Sequence, residues 1–360
     1  MNNNKSFVGF EWLIPTLSSI LVLFSGAGVI YSKNYKKALT YSLKKDLSPL
    51  DILSVDIDDS VRNSIEEFDI EKIADMKFGK QIQHFIDVIK TNFKEEDLAF
   101  ISQNIKNLKV SHMKFMDYVT YGPRLRGYYD ASANGLSVER VNFEQYIYHE
   151  LFHCASCYNN QENSCVGFAH SNQNEITGRA LNEGYTQYLT NRYFQIKKPE
   201  KFYPYFSKIS GILEDVIGQD LMQSLYIRSD LPGLIEEISY YTIPYAAEKF
   251  ITNLDAISTY MFSFGLDNEA QNLLNHALYE VNSTLTELIV NKVVDEVERY
   301  EDLNVSYIYE QSKPLLKKLP TKIPKVHFKC DFWDEERALD CMKRYITYAL
   351  NNRVYYPQKK

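Results

Sequence analysis

The sequence predicts an α+β fold in which a small sheet and one following helix precede a mainly helical C-terminal part. Three observations carry this prediction. Gly127-Tyr128-Tyr129-Asp130 and Leu136-Ser137-Val138 flank Asn134-Gly135, a pair that tolerates positive φ and favours a tight reversal between short strands. Asn142, with Gln145 three residues on, reads as a helix start, and Phe143, Ile147 and Leu151 then recur at every fourth position as a buried stripe. After Phe194 the pattern is almost wholly helical. It is clearest where Asp267 acts as a start signal before Leu274, Leu278, Val281, Leu285 and Leu288.

From the N-terminus, the uncharged run Trp12 to Tyr31 comprises twenty residues, which as a helix span about 30 Å, the thickness of a bilayer's hydrocarbon core. It reads as a single transmembrane anchor over residues 1–32, with a cleaved signal peptide as the alternative. Against cleavage, only Lys5 precedes the run as a basic side chain and Glu11 adjoins it. Residues 33–60 form a polar connection. Lys33, Lys36, Lys37, Lys44 and Lys45 follow the span, so the positive-inside tendency places the rest of the chain in the cytoplasm, at a cell membrane crossed once. Ile82, Phe85, Ile86 and Ile89 mark an amphipathic helix before the strands.

Composition excludes one partner class. The net charge is -7, and no basic stripe is interleaved with aromatics, so nucleic acid is not expected. Five cysteines cannot all pair within one chain, which leans toward a reducing compartment. Bridges among Cys154, Cys157 and Cys165, or between Cys330 and Cys341, stay open, as does a structural zinc on the first three. Small buried hydrophobes are the plainer reading.

The chemistry is concentrated in His149-Glu150-Leu151-Phe152-His153. Residues four apart on a helix sit one above the other, with Cβ atoms about 5–6 Å apart, so both imidazoles reach one tetrahedral ion. They fall nearly opposite the Phe143, Ile147, Leu151 stripe, as suits a helix that packs into a core while turning ligands toward a cleft. Glu150, offset by one residue, is a general base and not a ligand. The competing reading is an amphipathic helix with two solvated histidines. Residues 180–189 read as a second helix with Leu181, Tyr185, Tyr188 and Leu189 on one face, and Gly184 would permit close helix approach. Its Glu183 is the expected third ligand, leaving a fourth position open; a solvated helical glutamate is the alternative.

With these elements in place, residues 120 to 195 resemble the gluzincin group of zinc metallopeptidases, which combine His-Glu-x-x-His with an Asn-Glu or Glu-Gly element on a later helix. The resemblance implies Zn2+ as cofactor, His149, His153 and Glu183 as ligands, and Glu150 as base. It also implies a zincin-like catalytic part over 61–195 followed by a helical part over 196–360. The segment between the two helices is longer than in thermolysin-like members, so Glu175, in Asn174-Glu175, competes for the third position. His170 is a weaker competitor, read as a loop residue. The metzincin pattern would need glycine at Ser156 and histidine at Asn159, and is rejected.

Related enzymes supply an oxyanion donor from a later tyrosine or histidine, for which Tyr240, Tyr241, Tyr245 and His276 are eligible. The expected function is a membrane-anchored zinc peptidase, endo- or amino-, acting on a peptide or protein held along an edge strand. A zinc hydrolase of a non-peptide amide or ester, and a catalytically silent binding protein, are the alternatives.

Overall fold

The computed structural model describes residues 78–352, apart from 122–124, 142, 160–163, 173–174, 195–202, 244, 262–266, 297–304 and 322–333. The anchor at 12–31, the lysines after it, Asn142 and Cys330 therefore lie outside the described residues. Among the described residues no helix is long and apolar enough to cross a membrane. The architecture is mostly helical with two small sheets, a mixed α+β arrangement.

Helix α1 (Gly79–Asn92) buries Ile82, Phe85, Ile86 and Ile89, the stripe read from the sequence. Helix α2 (Glu95–Lys106) opens on Glu95, Glu96 and Asp97, whose charges complement the positive end of its dipole. Strand β1 (Lys109–His112) and the short helix α3 (Phe115–Tyr121) lead to the hairpin of β2 (Gly127–Asp130) and β3 (Gly135–Val138). Asn134 supplies the left-handed residue, with φ 44°. Its side chain accepts from the Tyr129 hydroxyl at 2.9 Å and donates to the Asn104 carbonyl at 2.9 Å, tying the turn to α2. The sheet has three strands in the order β1-β3-β2, with β1 parallel and β2 antiparallel to β3. The edge strand β2 and the central strand β3 both pack on the next helix.

That helix, α4 (Glu144–Ala155), buries Ile147 and Leu151 completely. After it the sequence reading needs correction. The segment expected as loop forms a four-stranded antiparallel meander: β4 (Cys157–Asn159), β5 (Ser164–Val166), β6 (Ala169–Asn172) and β7 (Glu175–Thr177). Each strand is only three or four residues long, too short for an alternation to stand out from loop sequence. His170 sits in β6, paired with Cys165 and Thr177.

Helix α5 (Arg179–Tyr193) is entered through Gly178, whose φ of 77° only glycine adopts without strain. The Asp255 carboxylate accepts from the N–H groups of Gly178 and Ala180 at 2.7 and 2.8 Å and caps the helix from α9. Among the described residues seven further helices follow: α6 (Pro204–Ile217), α7 (Gln219–Ile227), α8 (Leu231–Tyr240), α9 (Ala246–Met261), α10 (Asn268–Asp295), α11 (Val305–Leu316) and α12 (Glu335–Asn352). Gly184 faces the backbone of Phe206 on α6, where an added Cβ would lie 2.6 Å from the carbonyl carbon. Gly184 therefore sets the close α5–α6 approach. Asp267 caps α10 through the Ala270 N–H at 2.8 Å. One apolar core runs from Ile82 on α1 through Leu151, Tyr185 and Ile209 to Leu285 on α10. Cys154, Cys157, Cys165 and Cys341 are buried free thiols, and burial pushes the Cys165 thiol up to about 12.

Glu287 on α10 is 1% exposed, and its carboxylate accepts from the Ile243 N–H at 3.0 Å. Burial raises this carboxyl from the ordinary 4.5 to about 7, and the backbone donor offsets only part of the rise. A raised acid stabilises the fold in its neutral form. That contribution is complete below the unfolded-state value and disappears as pH rises through the folded one. Glu287→Gln keeps an acceptor for Ile243 and cannot ionise. It is expected to exceed the wild type by about 2–3 kcal/mol at pH 8 and to match it near pH 4. Urea unfolding at both pH values checks this, and equal stabilities at pH 8 contradict it.

Candidate metal centre

Helix α4 presents His149 and His153 one turn apart, and α5 crosses it so that Glu183 meets both imidazoles. His149 Nε2 lies 3.2 Å from Glu183 Oε2 and 3.1 Å from His153 Nε2. His153 Nε2 lies 3.7 Å from the same Glu183 oxygen. Three ligand atoms around a tetrahedral ion with bonds of about 2.0–2.1 Å are separated by about 3.3–3.4 Å. The observed separations, 3.1 to 3.7 Å, are compatible with one face of such a tetrahedron. Each of the three residues offers one ligand atom, and these three atoms lie within 4.8 Å of one another. The cluster could bind a metal ion, and its geometry is compatible with a His-Glu-x-x-His site.

The electrostatics point the same way. Burial alone would raise the Glu183 carboxyl, but His153 and His149 outweigh it and hold the group well below the usual carboxylate range. Glu183 is thus an anion at neutral pH, aimed at two imidazole nitrogens. The two imidazole rings meet edge-on with centroids 4.8 Å apart. The ring of Tyr203, at the start of α6, lies parallel to His149 with centroids 6.3 Å apart.

Glu150 leaves the helix in a different direction. It is buried, and its side chain lies against the backbone of Gly127 at the start of β2. A Cβ at Gly127 would approach Glu150 Cγ and Oε1 to 3.1 Å, so the glycine makes room for this carboxylate. Glu150 is not among the three clustered residues. Strand β2 pairs with β3 on one side and has no other strand partner among the described residues. The carboxylate therefore sits beside an open sheet edge.

A layer of polar side chains backs the cluster. Asn182 Nδ2 and Thr186 Oγ1 lie 3.4 and 3.5 Å from His153 Nδ1. Thr186 donates to the Asn182 carbonyl at 2.8 Å and meets the Tyr226 hydroxyl at 2.6 Å. Burial raises the Tyr226 phenol, and the charges of Glu183 and Glu150 raise it further, so Tyr226 is a neutral O–H donor. Gly167, at φ 53°, leaves the space that Asn182 and Tyr226 fill.

The other sequence candidates are placed elsewhere. Glu175 begins β7, its backbone paired with Asn172, and its side chain lies outside the described residues. His170 donates from Nε2 to the Ser229 carbonyl at 2.8 Å, and burial lowers its pKa; it is a neutral structural histidine on a strand, not a loop residue. Tyr240 and Tyr241 stack edge-on at 4.8 Å, with Lys292 over the Tyr241 ring. Tyr245 is exposed at φ 68°, and His276 is exposed on α10.

Sequence reasoning missed Tyr203, Tyr226, Asn182, Thr186 and Gly127. Only Asn182 and Thr186 carried a usable signal, since their spacing of four around Glu183 puts them on one face of α5. The chain matches no protein-family model, no curated protein and no solved structure.

Purified protein is expected to take up one equivalent of Zn2+ or Co2+ per chain. Glu183→Ala should weaken that uptake by at least about a hundredfold through loss of a ligand, whereas Glu175→Ala should change it little. Competition titration against a chelating dye measures both. Tight binding by Glu183→Ala together with loss in Glu175→Ala would reverse the assignment.

Proposed function

We propose that this chain is a zinc-dependent peptidase of the gluzincin type, with a zincin-like catalytic part over 61–195 and a helical part behind it. The observation that carries the reading is the triangle of His149, His153 and Glu183 ligand atoms at tetrahedral spacing, with Glu150 on the same helix but outside it. Two imidazoles and one carboxylate suit zinc and leave a coordination position open, the pattern of catalytic and not structural zinc sites. When bound, zinc supplies a Lewis acid that polarises a carbonyl and brings the pKa of water from about 15.7 toward about 7.

The protein's own contributions follow from where its groups stand. Glu150 accepts the proton of the attacking water and delivers it to the leaving amine. Its carboxylate is held against Gly127, so the base keeps one position while a substrate lies along β2. An extended peptide can add to that strand's open side through main-chain hydrogen bonds. Arg126 directs its carbonyl inward to Glu139 N–H at 2.8 Å. By alternation, the backbone groups of Gly127 and Tyr129 are the ones turned outward.

The reading extends to a single anchor over 12–31 and a cytoplasmic catalytic part, supported by the lysine excess after that run. In sealed, inside-in vesicles the catalytic part should resist external protease. Its digestion there would reverse the orientation.

A chelator should abolish hydrolysis of a peptide library, with zinc restoring it. Glu150→Gln should retain zinc and lose about 10²–10⁴-fold in turnover, the usual worth of a general base. Gly127→Ala should also retain zinc but lower turnover, because its methyl displaces the carboxylate. Full hydrolysis by zinc-loaded Glu150→Gln would remove the peptidase mechanism.

A further inference from the structure

The N-terminal end of α5 has no cap from its own sequence. At Gly178 the backbone is at φ 77°, and a Cβ there would collide with the Phe168 carbonyl. The residues that ordinarily cap helices are therefore shut out of that position. The first-turn N–H groups of Gly178 and Ala180 are nonetheless buried, and a buried donor without an acceptor is costly. Asp255, reaching over from α9, supplies both acceptors. The Gly178 N–H donates to its Oδ2 at 2.7 Å and the Ala180 N–H to its Oδ1 at 2.8 Å. Burial raises this carboxyl to about 6, while the two backbone donors and Arg179 pull it down, so above pH 7 it is an anion with both oxygens accepting.

Glu183 stands five residues beyond Gly178, about 7.5 Å along the helix axis. A metal ligand tolerates only about 0.2 Å of error in its bond, so the placement of this helix decides whether Glu183 can serve. The helix is pinned on both sides of it. Asp255 holds the start, and Gly184, the next residue, seats against the Phe206 backbone of α6. Both contacts come from the C-terminal helical part. The histidines are mounted differently. Helix α4 is held by α1 and α2, through Phe152 against Phe85 with ring centroids 5.0 Å apart, and through Asn104, whose Nδ2 donates to the Ala155 and Cys157 carbonyls at 3.1 and 2.8 Å.

We infer that Asp255 is a positioning residue for the third ligand: by capping α5 from α9 it sets Glu183 against His149 and His153, so the helical C-terminal part controls the metal affinity of a site whose ligands all precede it. The inference rests on the metal-binding reading of the triangle. It goes beyond that reading by assigning control of Glu183 to a residue outside 61–195.

The test is a double-mutant cycle in the full-length chain, with zinc affinity measured above pH 7 by competition with chelating dyes. Asp255→Asn keeps one acceptor and turns an NH2 toward the other N–H. It should lower affinity about tenfold, the lower end of what outer partners of a ligand contribute. In the Glu183→Ala background the same substitution should change affinity by less than about twofold, because the residue it acts through is gone. Asp267→Asn controls for loss of a helix cap as such. Asp267 caps α10 through the Ala270 N–H, and its replacement should lower the melting temperature yet leave zinc affinity within about twofold. Should Asp255→Asn fail to fold without metal, Asp255→Glu, which keeps both oxygens but displaces them by one methylene, takes its place in the cycle, with a fall again expected only where Glu183 is present. Equal affinity in wild type and the Asp255 variant, or an equal fall with and without Glu183, overturns the inference and leaves the metal reading standing. Wild type that takes up no zinc overturns the metal reading and the inference with it.

Discussion

Two imidazole nitrogens and an ionised carboxylate oxygen, held 3.1 to 3.7 Å apart at the meeting of two helices, repel one another unless protons or a cation lie between them. At such distances, and with little water around the groups, the electrostatic cost of leaving them uncompensated is several kcal/mol. Much of the surrounding structure can be understood as holding α4 and α5 in this arrangement. The Ile147 and Leu151 face anchors α4 in the core. Gly184 lets α5 settle onto α6, and Asp255 fixes the N-terminal end of α5 from α9. A shift of α5 by one residue would move Glu183 about 100° around its helix and dissolve the triangle.

The backing layer works by the same logic at one remove. Gly167 has no Cβ, so Tyr226 and Asn182 can pack beneath His153. Gly127 has none either, so Glu150 can lie against the edge strand. Two glycines far apart in sequence thus make the space on which the ligand ring and the adjacent carboxylate depend. Backbone conformation decides one of them, since Gly167 is at φ 53°, and close approach decides the other.

What the sequence made legible was local. The spacing of His149 and His153, the Asn134 turn, the stripe of α1, the Asp267 cap and the close approach at Gly184 each rest on interactions within a few residues or on the absence of a side chain. Strand β1 gave no such signal because its partner β3 is parallel and reached across a connection, not a turn. The meander from β4 to β7 was hidden by strands of three and four residues. Tyr226 was invisible for another reason: with 28 tyrosines in the chain, only tertiary packing singles out the one that meets Thr186. Tyr240, Tyr241, Tyr245 and His276 fitted the expectation of a late tyrosine or histidine equally well in sequence, yet among the described residues the ring of Tyr203 lies beside His149.

The central claim is that these three side chains close on one metal ion. Anomalous diffraction at the zinc absorption edge, from crystals of the zinc-loaded protein, tests it directly. The account predicts one strong peak, about 2.0–2.2 Å from His149 Nε2, His153 Nε2 and a Glu183 carboxylate oxygen, with Glu150 outside bonding distance. A zinc peak held by other residues, or none at this triangle, would contradict it.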